Sequence, residues 1–268
     1  MRIIYKIARL ELVNLFYSPV AWLLLIFLVF IIGSAFTDFF EVIARSKELG
    51  GGGGYALSER LFYARGGLWY TVKTMLYFIM PLLTMGLISQ EYNWGTIKFL
   101  FSAPISSRQI ILGKYLGVML YGLLVVMVLM FYMFIAWYYI DAFEWPAVLS
   151  GLLGLYLLFG LYAAIGLFMS TLTTYQIVAA IGMFAVLGLL ELTAEVGQEY
   201  AFVRDITYWL AMGQRTNNFI SGLISSEDVL YFCIVGTMFL IFSILRMQLK
   251  RERCTFVHKT LRYLVVFV

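Results

Sequence analysis

Apolar residues run through this 268-residue chain in long unbroken blocks, and the charged residues collect in the short segments between them. A hydrocarbon layer about 30 Å thick takes roughly 20 residues of helix at 1.5 Å per residue. Six blocks come near or exceed that length: Pro19 to Phe36, Leu68 to Ile88, Ile110 to Ile140, Ala147 to Met169, Tyr175 to Leu192 and Val229 to Met247. The pattern predicts an all-α polytopic membrane protein with six transmembrane helices. The third block is longer than a bilayer needs, so its first two turns, which carry Lys114, are expected to project into the cytoplasm. Ahead of the first block, Arg2, Lys6 and Arg9 fall at helical spacing, with Ile3, Ile7, Leu10, Val13 and Phe16 available for an apolar side. That predicts an amphipathic elbow helix over residues 1–18, lying in the interface until the chain turns at Ser18-Pro19. A solvated tail is the alternative.

Composition strengthens this reading. Hydrophobic residues make up 63% and charged residues only 13%, against about 25% charged in soluble domains. A single histidine, His258, excludes a multi-His metal site, and the two cysteines, Cys233 and Cys254, exclude a disulfide framework. No metal or cofactor is expected, and a net charge of +4, scattered along the chain, gives no footprint for nucleic acid.

Charge also orients the bundle, because Lys and Arg are retained on the cytoplasmic side. With both ends inside, twelve of the nineteen bases lie in the cytoplasm, including Arg2, Lys6, Arg9, Lys98, Arg108, Lys114, Lys250 and Arg251. Of the fifteen acids only Glu11, Glu91 and Glu252 join them. Gly33-Ser34-Ala35 has the form of a signal-peptidase site, but the long basic and amphipathic stretch before the apolar run favours an anchor. At the other end, residues 248–268 read as a basic cytoplasmic tail. Its last eight residues, Leu261 to Val268, are too apolar for water and too short to cross, and fit the start of a seventh span.

Between spans, the glycine run Gly50 to Gly54 in the first outer loop lacks the Lys-Ser/Thr of a P-loop and reads as a flexible linker. No segment carries a nucleotide signature, so the chain does not hydrolyse ATP by itself. The inner loop from Ser89 to Lys114 is richer. Trp94, Ile97, Leu100 and Phe101 recur at helical spacing, Pro104 ends that helix, and Ser106 with Gln109 has the spacing of a capping box that starts the next. A helix-turn unit on the inner face is a docking surface for a soluble partner, with a plain amphipathic loop as the alternative.

These residues carry a resemblance. Glu91-x-x-x-Gly95-Thr96, then Ala103-Pro104-Ile105-Ser106-x-Arg108 and Gly113-Lys114, resemble the E-x-x-x-G-T … P-[IV]-S-R-x-x-[IL]-x-x-[GA]-K pattern of ABC-2 type transporter permeases, with Ser106-Ser107 inserting one residue before the arginine. Phe16-Tyr17-Ser18-Pro19-Val20-Ala21 resembles the turn into the first span in the branch that includes gliding-motility-associated permeases and the permease of nitrous oxide reductase maturation. The resemblance implies a six-span permease domain over residues 19–247, paired with a second permease subunit and bound to cytoplasmic ABC ATP-binding subunits. It implies that the helix after the second span is a coupling helix, that the second and fifth spans line the dimer axis, and that ATP-driven closure moves substrate outward. Glu91, Gly95 and Thr96 would then lie in the coupling helix, and Pro104, Arg108, Gly113 and Lys114 in the turn and helix start beside it.

Other groups admit two readings each. Glu191, Glu195 and Glu199, at i, i+4 and i+8, form either an acidic lining at the outer exit of a pathway or a solvated helix end. Residues 200–226 hold two apolar pieces too short to span, which fit a re-entrant or interfacial hairpin. Lys73, near the outer end of the second span, snorkels to the interface or touches substrate. Gly113 and Gly117 form a G-x-x-x-G for helix packing within the chain or at a dimer seam. Trp22, Trp69, Trp137, Tyr138, Tyr139 and Trp145 read as interfacial anchors. The rival functions are an ATP-driven envelope or motility complex that moves no solute, and a polytopic membrane enzyme. The enzyme lacks a membrane-depth histidine or aspartate to work with.

Overall fold

In the computed structural model the apolar blocks are helices. The structure describes residues 2–48, 58–59, 61–64, 66–140, 143–192 and 212–266, and no strand occurs among them. The longer helices among the described residues are α1 (Arg2–Tyr17), α2 (Pro19–Glu48), α3 (Leu68–Thr84), α4 (Gly86–Asn93), α5 (Ile97–Ser102), α6 (Ser107–Tyr139), α7 (Trp145–Leu172), α8 (Gln176–Leu192), α9 (Met212–Ile220) and α10 (Ser226–Val266).

Among the described residues, five stretches are long and apolar enough to cross a membrane: Pro19–Glu41, Leu68–Asn93, Ser107–Tyr139, Trp145–Leu172 and Ser226–Arg251. The remaining expected span, Tyr175 to Leu192, is α8. Its 17 residues rise only about 26 Å, and residues 193–211 beyond it lie outside the described residues. Helices also overrun the apolar blocks, because a helix satisfies its own backbone whether or not the medium is apolar. Thus α2 continues to Glu48, through residues expected in the first outer loop, and α10 continues unbroken to Val266, taking in the apolar residues from Leu261 onward. The Gly50 to Gly54 run lies outside the described residues.

The centre of the bundle is α7, which touches α3, α4, α6, α8, α9 and α10. Small residues on α7 make this possible. At Gly154 a Cβ would come within 2.3 Å of Phe219 Cβ on α9, so only glycine admits the ring, and Phe219 is wholly buried there. Trp69, expected at the interface, is likewise fully buried: it lies against Gly151 and 5.1 Å from the Phe62 ring.

The second span breaks between α3 and α4. Pro81 lacks an amide N–H and weakens the helix at that level. Four residues on, the hydroxyl of Ser170, buried on α7, inserts into the ladder. Ile88 N and Ser89 N both donate to Ser170 Oγ at 2.9 Å, and Ser170 Oγ donates to Met85 O at 3.0 Å. Those two amides would otherwise reach back to Thr84 and Met85. The break is therefore set by a partner side chain, which takes up Ile88 N, Ser89 N and Met85 O.

The predicted elbow is helix α1, and the indole N–H of Trp22 donates to Phe16 O at 2.7 Å across the Ser18-Pro19 turn. It is also packed against the bundle. α1 runs alongside the first turns of α6 in the same direction. Gly113 lies against Ile7 and Gly117 against Glu11, each so close that an added Cβ would stand 2.7 Å from the facing Cβ. The G-x-x-x-G is thus used within the chain. It follows that the start of α6 does not project as a bare stalk, because α1 covers it.

Replacing Gly154 with Leu should destabilise the bundle by about 1–3 kcal/mol, read as a lowered midpoint in thermal unfolding of the detergent-solubilised chain. Phe219→Ala keeps the Cβ that meets position 154 but frees the space of the ring, so the pair should cost less than the sum of the two single changes.

Candidate coupling site

At the end of the bundle that carries α1 and α5, one ammonium group joins three helices. Lys114 Nζ on α6 lies 2.8 Å from Glu11 Oε2 on α1 and 2.8 Å from Glu91 Oε1 on α4. The lysine side chain is 6% exposed, that of Glu11 11% and that of Glu91 21%. Two carboxylates and one ammonium leave a formal net charge of −1 in a group that is largely buried. Removing one partner from such a group leaves an uncompensated buried charge.

Each member is placed by its helix. Lys114 follows Gly113, whose missing side chain lets α1 come down onto α6. Glu11 lies nine residues after Arg2, which at 100° per residue is half a turn of the wheel away. It therefore shares a stripe with Ile7 and Leu15, on the side away from the basic residues. Sequence reasoning counted Glu11 only as one of the few acids on that side. The wheel position was the available signal: it is the only acid in α1, and it sits among apolar neighbours. Glu91, expected in the coupling helix, lies in the last turn of α4 with its carboxylate on Lys114.

Between α4 and α6 the chain makes two turns. The single helix expected from the Trp94-Ile97-Leu100 period is divided by Gly95, whose φ of +73° is in the left-handed region. Trp94 N donates to Gln90 O at 2.9 Å and Gly95 N to Tyr92 O at 3.2 Å, closing α4 with a glycine at the position that favours it. No atom stands within 4 Å of a Cβ built on Gly95, so its conformation, rather than space, calls for glycine. Thr96 follows in the same turn and bonds Glu91 O at 3.4 Å. After α5, Pro104 starts the second turn, and the capping box is present as predicted: Gln109 N donates to Ser106 Oγ at 3.3 Å and Ser106 N to Gln109 Oε1 at 3.0 Å.

This connection leaves Trp94 68% exposed and Phe99 75% exposed. Lys98, Pro104 and Arg108 are exposed with them. Ile97 is buried and anchors α5 to the bundle. Beside it a cleft of about 660 Å³ opens between α1, the start of α2 and the α3–α4 break, and its lining includes Glu11, Glu91, Lys114 and Trp94. Of the expected coupling residues, then, Glu91, Gly113 and Lys114 form the inner cluster with Glu11. Gly95, Thr96, Pro104 and Arg108 belong to the outer connection.

The opposite end has its own ion pairs. Lys73 on α3 is buried, not snorkelling, and its Nζ lies 3.1 Å from Glu191 Oε1 on α8 and 3.3 Å from Asn217 Oδ1 on α9. α9 is the helical part of the expected hairpin. Its Arg215 pairs with Asp228 of α10 at 2.9 Å, and Asn218 Nδ2 donates to the other Asp228 oxygen at 3.1 Å. Glu191 is therefore an ion-pair partner as well as a half-exposed helix end. Glu195 and Glu199 lie outside the described residues.

The sequence profile of the ABC-2 family transporter proteins matches residues 5–250, from the elbow helix to the end of the last span. The chain belongs to the ABC-2 transporter family. With five stretches long and apolar enough to cross a membrane, this ABC-2 family protein is a multi-pass membrane protein. Over 60 residues the permease is also 42% identical to an uncharacterized protein, YhcI, of Bacillus subtilis (strain 168). That stretch is 22% of this chain and 18% of the relative, so the permease spans under a fifth of that protein's length.

Lys114→Met should lower stability by about 3–5 kcal/mol, because two buried carboxylates then face each other. Combining it with Glu11→Gln and Glu91→Gln should recover most of the loss. Denaturant unfolding of the three single variants and the triple variant reads this directly.

Proposed function

We propose that this chain is the transmembrane permease subunit of an exporter-like ABC transporter, in which a separate cytoplasmic ATPase hydrolyses ATP and drives substrate outward. The observation that carries the proposal is the exposed connection from Trp94 to Arg108, at the end of the bundle where the bases gather. Trp94 and Phe99 stand out from it among Lys98 and Arg108. Exposed aromatic anchors ringed by cations suit a groove with apolar walls and an acidic rim on a soluble partner.

In this reading α1, α5 and the Arg251 end of α10 lie on the cytoplasmic side of the plasma (bacterial inner) membrane. α5 is the coupling helix. A push on it reaches two places at once. Through the Gly95 turn it acts on α4 and the break at Met85, where the second span can bend. Through the Pro104 turn it acts on the first turn of α6, and Lys114 passes the displacement to α1 through Glu11. A second permease subunit completes the pathway along α3 and α8, with Glu191 towards its outer end. The family match to a transporter supports solute movement over a purely mechanical role.

Replacing Phe99 with Asp should weaken association with the co-purified ATP-binding cassette subunit at least tenfold, the effect of losing a central anchor. Trp94→Ala should weaken it less. Titration binding in detergent or nanodiscs checks both, and full-strength binding by both variants would overturn the docking assignment.

A further inference from the structure

Three helix C-termini converge at the proposed cytoplasmic end: α4 at Asn93, α5 at Ser102 and α7 at Leu172. The last carbonyls of a helix have no partner within it and need donors from elsewhere. α10 brings two consecutive cations to this level. Lys250 Nζ donates to Thr171 O in the last turn of α7 at 2.9 Å and lies 3.9 Å over the Tyr92 ring of α4. Arg251 points to the coupling connection. Its Nη1 donates to Ile105 O at 2.7 Å, and its Nη2 to Phe101 O at 3.1 Å and Ala103 O at 3.4 Å.

Those three carbonyls span the bend at Pro104, where the helical ladder is interrupted. They face one planar guanidinium, whose fixed fork of donors can serve several acceptors together. A lysine at the same place supplies a point charge on a shorter stem. The contact bridges about 150 residues of sequence and ties α5 to a helix that it does not adjoin in the chain. Two cations at helix C-termini also match the negative end of each helix dipole.

We propose that Arg251 is the positioning residue of the coupling helix: its guanidinium fixes the angle between α5 and α6 and makes α10 a third element, beside the second and third spans, that moves with α5. The proposal rests on the reading of α5 as the ATPase contact. It assigns a mechanical role to a residue that composition marks only as one more base in the tail.

The test combines two measurements on the whole chain in nanodiscs. For the first, spin labels at Ser102→Cys and Ile241→Cys, with Cys233 and Cys254 replaced by serine, report the distance distribution between α5 and α10. Arg251→Ala should at least double its width, and Arg251→Lys should recover less than half of that change. For the second, stimulation of the co-purified ATP-binding cassette subunit by the permease should fall at least fivefold in Arg251→Ala. A distribution as narrow as wild type in Arg251→Ala, or full recovery in Arg251→Lys, overturns the positioning role of the fork. A broadened distribution with undiminished stimulation overturns the coupling role. Failure of the docking reading is separate: it shows as full-strength association in both Phe99→Asp and Trp94→Ala, whatever the labels report.

Discussion

The ammonium of Lys114 sets the arrangement of the α5 end of the molecule. A lysine so deeply buried can remain charged only with acids beside it, and it has two, one from the first helix of the chain and one from the end of the second span. Meeting it demands that α1 and α6 lie almost backbone to backbone, which Gly113 and Gly117 allow. The ion cluster and the glycine pair are one device. The glycines give the approach, the charges fix the register, and the α3–α4 element is pulled into the same joint. α5 hangs from this joint on one side and from α10 on the other.

A second constraint is the scarcity of water around the spans. Polar backbone freed within an apolar layer has to find protein partners. The break at Met85 is accordingly matched by Ser170, and the helix ends that meet α10 are matched by Lys250 and Arg251. At the opposite end, Lys73 bonded to Asn217 and Arg215 paired with Asp228 bind α9 into place over the small residues of α7. The charged side chains thus act as fasteners at the two ends, while the middle is held by close packing around α7. That division suits a machine in which one end is pushed and the bundle has to transmit the push without coming apart.

Much of this was legible in the chain itself. Block lengths gave the helices, because the thickness of a bilayer leaves little freedom, and the Ser106–Gln109 capping box was readable because both partners lie within four residues. What escaped were contacts between distant residues. Lys114 and Glu11 are 103 positions apart, and nothing local says that they meet. Lys114 therefore read as a cytoplasmic cation, and Arg251 as part of a basic tail. The Trp94-Ile97-Leu100 period was misleading because it carries across a break, and the glycine at position 95 was the better guide to where α4 stops. Trp69 was misread because aromatic residues near span ends usually face the interface, whereas here small residues on α7 open a niche for the ring.

The proposed function requires the ATPase to act at the connection around α5. A photo-crosslinking amino acid placed at position 99 tests it most directly, in membranes containing the permease and its ATP-binding cassette subunit, with one at the exposed Leu223 of the opposite end as control. Position 99 is expected to crosslink to the ATPase subunit and position 223 is not. Crosslinks from position 99 to lipid or to the permease alone, with the ATPase captured from position 223, would contradict it.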